Sequence, residues 1–117
     1  MFAAPINIFS LAYPEATSNW TNRFQMFATQ NMWTFILLDS YNGRLWQVQY
    51  STQDLDNLFC IPINEYELVA NNERCIFSIQ PLTSMYQYYL VNDDTGDMWK
   101  FQWSTKGDDY RWIERFM

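Results

Sequence analysis

The side chains that could do chemistry here are limited by an absence: the 117 residues include no histidine. Imidazole is the commonest general base near neutral pH and the commonest metal ligand, so acid–base or metal chemistry would have to rest on other groups. Cys60 and Cys75 stand singly in the apolar runs LFCIPI and RCIFSI, without a second ligand at zinc spacing. Three glycines leave no room for a phosphate-cradling loop, and no serine sits in a nucleophile elbow. The carboxylate pairs Asp93-Asp94 and Asp108-Asp109 fall in polar, turn-like segments, where solvation accounts for them. Sequence spacing leaves open one catalytic class, a two-carboxylate hydrolase, because separation in space is not legible there. The residues point to binding and not to catalysis, and no cofactor or metal is expected.

Binding chemistry is suggested instead by residues that occur twice. The run from Trp33 to Thr52 aligns without gaps on the run from Tyr86 to Thr105, residue 33 meeting residue 86 at an offset of 53. Gly43 then falls on Gly96, Trp46 on Trp99 and Gln49 on Gln102. Arg23 meets Arg74 at the entrance of each copy, after a gap of two residues. Trp46 and Trp99 could stack on a sugar ring or a base, with Gln49 and Gln102 supplying hydrogen bonds. Arg23 and Arg74 could contact an anionic group, or pair with Asp39 and with Asp93 or Asp94. Each candidate has a plainer competitor: the aromatic face as core, the amides as a cross-strand ladder, the arginines as surface ion pairs.

Positioning these residues calls for strands. Residues 24–29, 33–39, 45–50 and 58–63 of the first copy, and 75–80, 86–92, 98–103 and 111–116 of the second, are enriched in β-branched and aromatic types. No segment holds the i, i+3, i+4 apolar spacing of a helix for long, and residues 13–22 read as a loop or short helical turn. The arms are joined by Asp39-Ser-Tyr-Asn-Gly43 and Asn92-Asp-Asp-Thr-Gly96. An Asp or Asn that bonds forward to the turn backbone and a Gly free to take positive φ predict a tight turn closed by a glycine bulge. Alternation along the return arms puts Trp46, Val48 and Tyr50 on one face, with Leu45, Gln47 and Gln49 on the other. The second copy sets Trp99, Phe101 and Trp103 against Met98, Lys100 and Gln102.

The arrangement of an aliphatic strand, then D-x-x-[NT]-G-x-x-W, then alternating residues resembles a group of uncharacterised small bacterial proteins that carry this hairpin singly or in tandem. The likeness covers residues 23–52 and 74–112, with Asn92 where Asp is usual. It implies the fold and supplies no activity. The expected architecture is all-β, a single domain over residues 1–117 made of two repeats, about 5–57 and 62–116, each an antiparallel unit of about four strands. Pseudo-twofold symmetry would make these a barrel or sandwich; alternatively they are two propeller-like blades, which would need further copies to close a ring. Pro5-Ile6-Asn7 and Leu11 also match Pro62-Ile63-Asn64 and Leu68, so the chain start is expected to pack beside the closing strand of the second unit.

Seven basic against thirteen acidic residues give a net charge of −6, which argues against a nucleic-acid partner. No stretch approaches the roughly 20 apolar residues that span a bilayer, and the first eleven residues lack the basic region of a signal peptide. A cytoplasmic protein without a membrane partner is the expectation, with both cysteines buried and reduced. Aromatic residues make up 20% of the chain, enough to fill a core and leave rings for a partner. Two functions follow: a non-catalytic module for a small polar, ring-bearing ligand, or a protein–protein interaction module acting as inhibitor, adaptor or assembly subunit. The chain could serve either as a monomer or as a homo-oligomer.

Overall fold

The computed structural model describes residues 22–50 and 59–116. One sheet contains β1 (Phe24–Ala28), β2 (Thr34–Asp39), β3 (Leu45–Gln49) and β4 (Phe59–Pro62). The other contains β5 (Phe77–Pro81), β6 (Gln87–Asn92), β7 (Met98–Gln102) and β8 (Trp112–Arg115), the last preceded by a single 3-10 turn at Asp108–Tyr110. Every strand pairs antiparallel with its sequence neighbours, so each repeat is a four-stranded meander. The 53-residue offset also governs the opening strands: Phe24 lies opposite Asp39 as Phe77 lies opposite Asn92. Phe24 therefore corresponds to Phe77. Arg74 lies two residues short of the counterpart of Arg23, and the gapped sequence match of the two arginines is not a structural equivalence.

Both tight turns form as the residues dictate. Gly43 and Gly96 take φ of 81° and 77°, and their N–H groups return to the carbonyls of Asp39 (2.9 Å) and Asn92 (2.7 Å). The Asp39 carboxylate accepts from Tyr41 N at 3.1 Å, and the Asn92 amide oxygen from Asp94 N at 3.0 Å, which satisfies the turn backbone from within. Among the described residues, a further clamp acts on the first turn alone. Asn64, buried just past β4, accepts from Leu45 N at 2.8 Å and donates to Gly43 O at 3.0 Å, while Leu68 N donates to Asn42 O at 2.7 Å. The segment between the sheets thus folds back over the first hairpin.

The sheets pack on each other through unlike faces. The first buries Gln25, Phe27, Ile36, Leu38, Leu45 and Gln47; the second buries Phe77, Ile79, Tyr88, Leu90, Trp99 and Phe101. By the 53-residue offset, the second set corresponds to Phe24, Met26, Phe35, Leu37, Trp46 and Val48, which lie on the outer face of the first sheet. The packing is front to back, as in adjacent blades, and one continuous core results. Gln47 donates to Ser104 O at 2.8 Å and accepts from Ser104 N at 3.1 Å, joining the sheets through a buried amide.

The expected burial of the cysteines does not hold. Cys60 is exposed and Cys75 only half-buried. Cys60 faces outward beside Val48 on β4, an edge strand that pairs only with β3 among the described residues. An apolar neighbourhood in sequence does not bury a residue on the outer face of an edge. The N-terminal match at Pro5-Ile6-Asn7 and the loop at residues 13–21 lie outside the described residues.

Gln47→Ala removes both bonds and leaves the buried Ser104 amide unpaired. It should destabilise the fold by on the order of 2 to 4 kcal/mol in urea titration, whereas its repeat counterpart Lys100→Ala should cost under about 1 kcal/mol. Gly43→Val and Gly96→Val should each cost a kilocalorie or more, roughly, from positive φ. Gly43→Val should be the worse, because a Cβ there would meet Leu68 at 2.9 Å and Phe77 at 3.0 Å.

Candidate functional site

Although equivalent in the fold, the duplicated tryptophans occupy opposite environments. Trp99 is 8% exposed, in the core, with its ring 5.9 Å from that of Phe77. Trp46 lies half-buried on the outer face of the first sheet, and the Arg44 guanidinium sits over its ring at 4.8 Å. Two equivalent aromatic pockets do not form from them. The glutamines differ as well. Gln102 accepts from the cross-strand Gln87 at 2.8 Å and donates to Tyr110 O at 2.9 Å, whereas Gln49 faces Thr34 and accepts from Gln47 at 3.5 Å. An amide ladder is present in the second sheet only.

Both arginines form ion pairs, of different quality. Arg23 grips Asp39 through Nε (3.0 Å) and a terminal nitrogen (2.9 Å), and the Asp39 side chain is only 3% exposed. This hydrogen bond holds the Arg23 guanidinium above its ordinary pKa. Arg74 pairs with Asp94, both largely in solvent. Asn92 stands where Asp39 stands in the first turn, so the second turn offers no buried carboxylate.

Two hollows mark the surface. A cleft of about 180 Å³ lies at the end of the second sheet, lined by Ser84, Tyr86, Gln102, Ser104, Lys106 and Tyr110. Tyr86 and Tyr110 are 39% and 51% exposed, and the Lys106 ammonium stands 5.7 Å from the Tyr110 ring centre. Drug-sized ligands occupy roughly 300 Å³ or more, so the cleft takes a single ring at most. A shallower hollow of about 490 Å³ lies on the outer face of the second sheet, between Gln80, Tyr89, Val91, Met98 and Phe116.

Compared with family models, with curated proteins and with solved structures, the chain matches none. No helix among the described residues is long and apolar enough to cross a membrane.

Of the six residues expected to form a site, Gln102 lines the cleft, and the other five line neither of the two hollows described above. Sequence reasoning passed over the cleft's Tyr86, Lys106 and Tyr110, whose first-repeat counterparts are not aromatic and basic in the same pattern. It also passed over Gln47 and Asn64, the buried amides that shape the fold. Gln47 could have been found as a polar residue alternating with Leu45, but its repeat partner is Lys100, and attention to shared residues hides it.

Although exposed, the Cys60 thiol is partly desolvated, which raises it above its ordinary pKa. A raised value delays thiolate formation to higher pH. In dilute native protein, Cys60 should react with a disulfide reagent before unfolding, with a rate that climbs to a midpoint above that of a free thiol. Labelling that requires denaturant would contradict its exposure.

Proposed function

We propose that this chain is a non-catalytic protein-interaction module that works through the outer faces of its two sheets. The observation that carries the reading is the outer face of the first sheet, where the apolar side chains of Phe24, Met26, Phe35, Leu37, Trp46 and Val48 lie together across three strands, with the Arg23 and Arg44 guanidiniums over the Phe24 and Trp46 rings. Phe24 is 51% exposed, and the remainder are only partly covered. Contiguous apolar surface on a sheet commonly marks an interface, and aromatic side chains with few rotatable bonds make effective anchors. The net charge of −6 adds solubility to a molecule with so apolar a face.

Affinity capture with the immobilised full chain tests this. Wild-type protein should retain a stoichiometric protein partner, its own second copy included, and Val48→Glu should lose it at an unchanged melting temperature. A wild type that stays monomeric and retains nothing overturns the reading.

The cleft at Tyr86, Gln102 and Tyr110 supports a second reading, a site for a small polar, ring-bearing ligand such as a sugar or base. Its two exposed rings flank a lysine and an amide, a chemistry that stacks on and hydrogen-bonds a ring. Calorimetric titration with sugars and nucleotides should give heat that Tyr110→Ala removes. Silence at millimolar ligand would exclude this use of the cleft.

A further inference from the structure

We infer that the partner of the outer faces is a second copy of this chain, docked head to tail so that its first sheet packs on the second sheet of its neighbour. The inference rests on the interaction reading above and names the partner. Its basis is that the contact inside the chain is heterologous: the front of one unit meets the back of the next, and among the described residues each leaves its other face uncovered. A twofold exchange would have buried the same face twice and left nothing to propagate.

By the 53-residue offset, these uncovered faces are the positional counterparts of the ones that pack inside the chain. The hollow on the second sheet is lined by Gln80, Tyr89, Val91, Met98 and Phe116. Subtracting 53 gives Phe27, Ile36, Leu38, Leu45 and Ile63, all buried beneath the second sheet. The hollow is therefore the vacant form of the seat that the second unit occupies on the first. The outer face of the first sheet is in turn the counterpart of the surface that fills that seat.

The edge of the contact repeats the same asymmetry. Phe77, 3% exposed, packs on Gly43, and Ser40 O accepts from Ile76 N (2.9 Å) and Phe77 N (3.1 Å). The counterparts are Phe24, half in solvent, and Gly96, where no described residue comes within 4 Å of a built Cβ. Phe24 of a docking copy would pack on Gly96 as Phe77 packs on Gly43. The outer seat is the more polar of the two, with Gln80 and Lys100 in place of Phe27 and Gln47. The contact between copies is accordingly weaker than the internal one, and association depends on concentration.

Sedimentation of the purified full chain from low micromolar to near-millimolar concentration tests the inference. Wild type should associate reversibly. Gly96→Asn keeps a residue that accepts positive φ and meets no described neighbour in the monomer, but its Cβ would obstruct the incoming Phe24. It should weaken association about tenfold or more with little change in melting temperature, whereas Gly43→Asn should lower the melting temperature of the monomer. Phe24→Glu should weaken association similarly. Mixing Phe24→Glu with Gly96→Asn leaves one intact contact and should yield a discrete heterodimer. Wild type that is monomeric throughout, or variants that associate as wild type does, would overturn the inference. If the monomer nonetheless retains a different protein, and Val48→Glu releases it, the interaction reading survives and only the identity of the partner falls; if it retains nothing, both fall.

Discussion

Gln47 links the two sheets: its amide both donates to and accepts from the backbone of Ser104, just past β7. A wholly buried amide is tolerated only where its hydrogen bonds are met, and here one backbone position of the opposite sheet meets two of them. That requirement fixes the register of one sheet against the other more tightly than apolar packing could, since aliphatic surfaces slide at little cost. Around it, Ile36, Leu38 and Leu45 of the first sheet share one core with Leu90, Trp99 and Phe101 of the second. At the position of Gln47 the second sheet carries Lys100, so this link is made once.

Most of the secondary structure was legible because it is local. Two meanders need only strands of the right composition and turns with Asp or Asn at the start and Gly at the end, and both turns announce themselves in those residues. The burial of each face was not legible. Alternation separates two faces without saying which is inner, and the repeat encouraged the assumption that equivalent residues share an environment. Trp46 and Trp99 refute it: the sheets stack in sequence, so the same position is outside in one unit and inside in the other. The misjudged cysteine has the same origin, since Cys60 belongs to the outer face of an edge strand.

Divergence between the copies is physically coherent elsewhere. Where the first turn holds a buried Asp39, Arg23 adds a two-pronged grip and lies over the Tyr41 ring at 5.0 Å. With Asn92 in that place, the second turn meets its backbone donors through a neutral amide and sends its arginine to the solvent-facing Asp94. An exposed pair of that kind contributes little, whereas the charge of Asp39 would be unfavourable without its partner. The first turn, roofed by Asn64 and Leu68, is thus the better-determined of the two.

The meander topology also orders events in time. Within each sheet the paired strands are neighbours in sequence, so their hairpins close over short loops, whereas Gln47 and Ser104 are 57 residues apart. Short-range pairings form quickly and long-range ones wait for larger loops to close. The topology predicts that the sheets assemble first and that their docking through the buried amide comes last in folding. Loosening that contact therefore shortens the lifetime of the folded chain far more than it slows its formation.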